Sequence, residues 1–467
     1  MRGSRGLTPT IVLAVIVAVG LLRLDPDAWA QVDTAPRLVE EVSRLVSGRF
    51  YNPEVVARVW ARARAAHLPA AATSEEVATA LDAMLAELGA SHTGHYAPSE
   101  LAYYEVLDIF ARDEFAPRLR ALFPDGRVAY TGIGVVPRAF EGRVFLAGVY
   151  HGSPAERAGL LVGDEIVSAD GEPFDPIASF ANQAGMPVRL EVRRVEAGPS
   201  FPVDVVPERI RPNEFFLSAM RASIRVIERD DRRWGYIRVW SYARRQYQNL
   251  LIEELAQGRL KDVDGLVLDL RGGWGGAQPE YAELFVGGAP IMTYAGRDGR
   301  EAFASFRWRR PVVVLVDEGT RSGKEVVTYG LKRQGVRVVG TRTAGALLAG
   351  RAFLLSDGSL LVLAVSDVRV EGERLEGRGV IPDVEVPFRL PYAAGRDPQL
   401  EAALAELAHA SRANKLRRDR RQAGGGGVGV EIRGLISPAA CRPRGTLRCC
   451  PWARGRAAPG PAARAPG

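Results

Sequence analysis

The spacing of hydrophobic residues changes along this chain, and each change marks a region. From Val32 to about Arg118 the spacing is helical. In TSEEVATALDAMLAELG, Thr73 to Gly89, the residues Val77, Ala80, Leu81, Met84, Leu85 and Leu88 share one helix face. Thr73 and Glu76 have capping-box spacing, and Gly89 is placed to end the helix. The next segment, ASHTGHYAP, reads as a loop from its Gly and Pro. From about Arg127 to Arg209 short runs bounded by turn residues take over. GIGVV, RVFLAGVY, DEIVSADG and VRLEVRRV predict strands, and SPAERAGL predicts one short helix. From about Trp234 to Phe388 the two patterns alternate. GYIRVW, GLVLDL, PVVVLVD and VRVVG predict strands, while YQNLLIEELAQ, PEYAELFV and GKEVVTYGLKRQG predict helices. SLLVLAVSDVRV adds further β structure, and DPQLEAALAELAHASR closes the fold as a helix. The alternation predicts an α/β layer architecture.

Outside these regions the ends carry different signals. Arg2 and Arg5 precede an apolar run from Ile11 to Leu22, and Ala28-Trp29-Ala30 follows a short polar stretch. Basic, apolar, then small-x-small is the order of a cleaved secretion signal, with an uncleaved membrane anchor as the alternative. Either reading sends the body out of the cytoplasm, to a periplasmic or extracellular location. Residues 412–467 are rich in Arg, Gly, Ala and Pro and are expected to be disordered. The expected division is therefore 1–30 secretion signal, 31–127 helical segment, 128–208 β-rich module, 209–411 α/β core and 412–467 basic tail.

Charge and cysteine remove several function classes. The net charge is +7, but residues 412–467 hold 13 Lys and Arg against 2 Asp and Glu, and residues 1–30 have a balance of +1. The body therefore stands at −5 and has no general attraction for nucleic acid. Cys441, Cys449 and Cys450 all lie in the tail, so the body holds no disulfide, cysteine nucleophile or cysteine zinc site. No His-Glu-x-x-His cluster is present, and the chemistry proposed below requires no metal or cofactor.

Candidate chemistry concentrates at strand ends. In VVVLVDEGTRSGKEVV an apolar strand leads to Asp317, a turn, and a helix starting near Gly323, which puts Ser322 at a strand–turn–helix junction. Free N–H groups at a helix start suit an oxyanion, although serine is also a common plain cap. In GLVLDLRGGWGG a strand ends in Asp269-Leu270-Arg271 before a Gly-rich loop, where Gly275 or Gly276 can bring a backbone N–H close to a substrate carbonyl. Asp269 and Arg271 read as structural residues that order this loop. GTRTAG is a Gly-bounded turn after a strand.

TGIGVV followed by HGSPAERAGLLVGDEIVSADGEPF resembles a PDZ domain over most of residues 128–208. That resemblance implies a peptide-binding turn at Gly132, Ile133, Gly134 and Val135, with backbone N–H groups exposed for a terminal carboxylate. In order after it, DLRGGWGG, EGTRSGKE, GTRTAG and GRGVIPDVEV resemble the motifs of the tail-specific, or carboxyl-terminal processing, proteases. The resemblance implies an α/β peptidase core of the ClpP/crotonase-like type, an N-terminal helical segment, an inserted PDZ-like domain, and a nucleophile at Ser322. Gly273 stands where that family has Asn. Its lysine base is missing too: the equivalent place, AGALLAG, offers Ala346 or Leu347. Lys324 is two residues along the helix, about 200° around it from Ser322, and reads as a solvated or salt-bridged residue.

ELGASHTGHYAP resembles the corresponding segment of the tricorn branch, where a histidine after serine is the base and a later glutamate completes a Ser-His-Ser-Glu tetrad. The resemblance places His92 as base, Ser91 beside it and Glu376 as the carboxylate, with His95 as the neighbouring alternative for the base. The oxyanion would lie at the N–H of Gly323 and one N–H of Gly275–Gly276. The expected function is an exported serine endopeptidase acting on polypeptide tails or unfolded proteins, with the substrate's C-terminus as a candidate grip. The alternatives are a non-catalytic peptide-binding protein on the same fold, or a hydrolase of a non-peptide ester.

Overall fold

The structure is a computed structural model that describes residues 26–68, 73–287, 292–295, 297, 301–304 and 307–423. Most of the expected leader, residues 1–25, and the tail from 424 onward lie outside the described residues. Among the described residues, no helix is long and apolar enough to cross a membrane. The contacts below belong to one compact unit that extends to Lys415.

Helices Pro26–Arg49, Pro53–His67 and Ser74–Ala86 pack together over a three-stranded sheet. The third follows its sequence signals. The Thr73 N–H donates to Glu76 Oε2 (2.7 Å), and the Glu76 N–H donates to Thr73 Oγ1 (3.2 Å). Its face from Val77 to Leu88 is buried. ASHTGHYAP is not wholly a loop. Gly94–Tyr96 forms a strand paired antiparallel with Leu360–Val362, and Ala349–Leu354 completes that sheet. Three residues are too few for an alternating pattern to show in sequence.

The β-rich module is an antiparallel sheet in the order Val135–Phe140, Arg143–Val149, Glu165–Ala169, Val188–Arg193, Phe201–Val205. A short ladder of Tyr130–Gly132 with Glu208–Ile210 closes its entry and exit side by side. Its own core includes Ile133, Leu146, Phe180 and Leu190.

The core is a six-stranded sheet in the order Val384–Glu385, Arg337–Gly340, Val312–Val316, Gly265–Asp269, Arg232–Arg238, Arg225–Arg229. All its pairs are parallel except the last. Both faces are covered, as a parallel sheet requires. Val313 and Leu315 face Leu404 and Leu407 of helix Pro398–Ala423. Val314 and Val316 face the opposite core, with Phe216, Leu251, Val327 and Leu331 from three other helices. PEYAELFV is a 3₁₀ turn, Pro279–Ala282, running into one helical turn, Glu283–Val286. The closing helix continues to Ala423, past the boundary at 411 expected for a disordered tail. Two strands of the parallel sheet, Gly265–Asp269 and Val312–Val316, end beside each other, and the candidate chemistry lies just beyond them.

Candidate active site

Asp317 ties the two strand ends together. Its Oδ1 accepts from the N–H groups of Gly272 (2.8 Å) and Gly319 (2.9 Å), and Thr320 Oγ1 donates to Leu270 O (3.0 Å). The chain then turns through Ser322 at φ 58°, ψ −131°, and enters helix Gly323–Arg333. A positive φ at a non-glycine residue costs roughly 1–3 kcal/mol and has to be held by its surroundings. Two bonds hold it here: the Ser322 N–H donates to Ala346 O (2.9 Å) and to Glu325 Oε2 (3.1 Å).

Glu325 is the brace behind this turn, a residue that the motifs above do not single out. Its buried carboxylate accepts from Thr343 Oγ1 (2.6 Å), Gly345 N (2.8 Å) and Ala346 N (2.9 Å), as well as from Ser322. GTRTAG is therefore the partner strip of the Ser322 turn. Burial raises the Glu325 carboxyl, while these hydrogen bonds pull it back. Its place three residues after Ser322 was the available signal, since that is capping-box spacing.

The Gly-rich loop runs alongside the chain at 240–242. The Trp274 N–H donates to Trp240 O (2.8 Å), and the Tyr242 N–H donates to Gly275 O (3.0 Å). A Cβ on Gly275 would fall on the Ser322 Cβ and within 3.0 Å of Gly323 N, so glycine is what lets the loop reach the helix start. Among the described residues, the N–H groups of Gly275, Gly276 and Gly323 have no backbone or side-chain acceptor. Gly273 has its own reason: at φ 64°, a Cβ there would collide with Trp240 O, leaving no room for the asparagine of the related family.

His92, also at positive φ (53°), stands two residues before the short strand Gly94–Tyr96. Ser91 Oγ donates to Glu376 Oε2 (2.8 Å) and lies 3.0 Å from His92 Nδ1. A hydroxyl has one proton. With that proton on Glu376, the Nδ1–H of neutral His92 donates to Ser91, and the Nε2 lone pair is free. Glu376 is fixed in turn by the N–H groups of Ser91 (2.9 Å) and Leu347 (2.7 Å). Leu347, one of the two places where the processing branch would have lysine, thus supplies a backbone donor to this chain. Burial lowers the His92 pKa to about 4, with Arg321 adding to the effect and Glu376 opposing it. His92 and Ser322 line one cavity of about 450 Å³, together with Trp274, Gly275 and Gly276.

Four other residues have definite places. His95 is buried, with Nε2 2.9 Å from Ser359 Oγ, away from this cavity. Asp269 and Arg271 are a buried pair (2.6 Å), and Arg271 also binds Asp397 (2.7 Å). Burial alone would raise the Asp269 carboxyl, but Arg271 and Arg238 outweigh it and hold it well below the usual range. Lys324 is neither solvated nor salt-bridged as its sequence position suggested. It is fully buried, and its Nζ donates to Gly272 O (2.7 Å). The Gly-rich loop folds over it, which a helix-wheel argument cannot foresee. Burial brings its pKa down to about 7, Arg238 adds to the shift, and Asp317 opposes it.

The PDZ-like turn also differs from expectation. Gly132, Ile133, Gly134 and Val135 are all buried rather than exposed. Phe215, from helix Pro212–Ser223, covers Gly134 so closely that a Cβ there would lie 2.6 Å from its Cζ. Ile133 O and Gly134 O are occupied by the N–H groups of Ala155 (2.9 Å) and Tyr150 (3.1 Å). Among the described residues, the outer edge of Val135–Phe140 has no neighbouring strand in its sheet.

Among the described residues, no group of three or more His, Cys, Asp or Glu is arranged to hold a metal ion. Residues 233–386 match the profile of peptidase family S41, and residues 145–194 match that of the PDZ domain. The chain is 27% identical to carboxy-terminal processing protease CtpA of Bacillus subtilis over 286 residues, 56% of this chain and 58% of that protein. It is 28% identical to a carboxyl-terminal-processing protease of Synechocystis over 356 residues, 71% of this chain and 76% of the relative. It is 31% identical to tricorn protease homolog 1 of Streptomyces coelicolor over 276 residues, 54% of this chain and 25% of the relative. The match thus spans less than two thirds of the first and last of these relatives.

Proposed function

We propose that this chain, which carries a peptidase family S41 domain and a PDZ domain, is a serine endopeptidase that cuts polypeptide tails or unfolded proteins. Ser322 Oγ attacks the peptide carbonyl carbon while His92 Nε2 takes its proton. The Gly323 N–H and one N–H of Gly275–Gly276 stabilise the oxyanion. The tetrahedral intermediate collapses, His92 passes its proton to the leaving amine, and water then hydrolyses the acyl-serine by the reverse use of the same groups. Ser91 and Glu376 hold the imidazole in the tautomer this requires. The observation that carries the reading is the Glu376–Ser91–His92 chain, whose imidazole lines the same cavity as Ser322.

Substrate capture fits strand addition along the open edge of Val135–Phe140. The basic, apolar and small-residue order of the first thirty residues supports export to a periplasmic or extracellular site.

The test is cleavage of an unstructured protein such as casein by wild type, Ser322→Ala and His92→Ala side by side. The proposal expects each substitution to lower kcat by about 10⁴-fold or more. Turnover that persists in Ser322→Ala would reject the nucleophile. Turnover lost only in Ser322→Ala would reject His92 as base. No wild-type turnover together with retained peptide binding would favour the binding-protein reading.

A further inference from the structure

Glu105 is a buried carboxylic acid that the mechanism above does not use. It lies on helix Leu101–Phe110, and among the described residues it has no cationic partner. Its two oxygens reach two different parts of the molecule. Oε2 accepts from the indole Nε1 of Trp274 (2.8 Å), in the middle of the Gly-rich loop. Oε1 accepts from the hydroxyl of Tyr150 (3.2 Å), at the end of a strand of the PDZ-like module.

We propose that Glu105 is a positioning residue for the oxyanion loop: it holds Trp274, and through it Gly275 and Gly276, in register with Ser322, and the Tyr150 hydroxyl holds Glu105 in place. This rests on the serine-peptidase reading. The start of the loop is anchored by Asp317 and Lys324, and its backbone runs along 240–242. Among the described residues, the Trp274 indole N–H has one hydrogen-bond partner, Glu105, while the Arg321 guanidinium lies 5.5 Å from the ring. Tyr150 is well placed to act as the fixed end. It is 1% exposed, its ring lies 4.3 Å from that of Trp240, and its N–H donates to Gly134 O in the PDZ-like turn. A contiguous line therefore runs from that turn through Tyr150, Glu105 and Trp274 to the proposed oxyanion donors. A buried carboxyl is costly to keep without a cation, so a purely packing role at this position would favour an apolar side chain.

Burial raises the Glu105 pKa to about 7, against the bonds from Trp274 and Tyr150. The charged and titratable groups around this line are Tyr130, Tyr150, His151, Asp108, Arg238 and Arg321. Ionised Glu105 accepts both bonds, whereas the protonated acid gives up acceptor capacity. Loop order, and kcat with it, is therefore expected to fall as pH drops through about 7.

The experiment uses full-length protein with the conservative variants Glu105→Gln and Tyr150→Phe. Rates are normalised to active serines titrated with a fluorophosphonate. Expected is a fall in kcat of roughly 10- to 100-fold in Glu105→Gln, with KM changed by less than about threefold. The acid limb near pH 7 disappears in Glu105→Gln, and Tyr150→Phe shifts it. A second readout is independent of activity: the Trp274 indole N–H resonance in ¹⁵N-tryptophan-labelled protein, assigned with Trp274→Phe. It should titrate near pH 7 in wild type and not in Glu105→Gln. Normalised kcat within twofold of wild type in both variants, or a Trp274 resonance indifferent to pH, overturns the proposal. If wild type cleaves nothing while the resonance titrates as expected, the peptidase reading has failed and the Glu105 linkage has survived.

Discussion

The Ser91 hydroxyl has a single proton, and its destination decides what His92 can do. Glu376 accepts it, so neutral His92 donates from Nδ1, which leaves the Nε2 lone pair for the base role proposed above. Lys324 presents the opposite problem, a buried amine with backbone carbonyls and, among the described residues, no counter-ion in contact. Its folded pKa lies below its unfolded value, so the folded state binds fewer protons between about 7 and 10.5. Its contribution to stability is therefore present at high pH and lost as pH falls toward 7. Lys324→Met should remove this slope. The difference in unfolding free energy between wild type and variant should shift by a few kcal/mol, roughly, in favour of wild type from pH 7 to pH 9.5. Denaturant unfolding at the two pH values measures it, and a pH-independent difference would show that Lys324 is not held in this environment. The sequence brought out Ser322, His92, Ser91 and Glu376 because they lie in ordered motifs. It did not bring out Glu105 or the burial of Lys324. Those depend on which loop closes over them, and an acidic residue in LAYYEVLDIF looks like any other helix carboxylate.

Between elements, the critical contact is the Gly-rich loop against the start of helix Gly323–Arg333. Gly275→Ala should push this loop away from Ser322 and cost roughly 10²- to 10³-fold in kcat, the scale of a lost oxyanion donor. Gly48→Ala is the matched control. It lies in helix Pro26–Arg49 with open space around its Cβ position, so activity should be unchanged and stability slightly raised. Equal kcat for Gly275→Ala and wild type would mean that the loop does not supply the donor. Helix Ser74–Ala86 was legible because its apolar face and capping box agree. Strand Gly94–Tyr96 was not, because its partner lies far along the chain at Leu360–Val362. The exposed PDZ-like turn expected from GIGVV failed for a related reason: Phe215, from outside the module, covers it.

For the molecule as a whole, the alternation of strands and helices conveyed the α/β core, but not the strand order or the seat of the PDZ-like module. Among the contacts that hold that module to the core are two aromatic seats. Tyr150 is wedged among Trp240, Phe215 and Phe216. Tyr392, after the last core strand, donates to Glu165 Oε2 (2.7 Å), and its N–H donates to Gly163 O (2.9 Å). The module is therefore packed onto the core by buried aromatic side chains rather than tethered to it. The helical segment brings His92, the loop after strand Gly265–Asp269 brings Gly275, and the turn after strand Val312–Val316 brings Ser322. Only the folded whole assembles the site.

The central claim is that Ser322 is a nucleophile activated by His92. Its most direct measurement is mass-spectrometric mapping of the adduct formed with a fluorophosphonate. The account predicts a single adduct on Ser322, formed in wild type and slowed by His92→Ala by at least about 10³-fold. An adduct on another serine, or labelling of Ser322 at the same rate without His92, would contradict it.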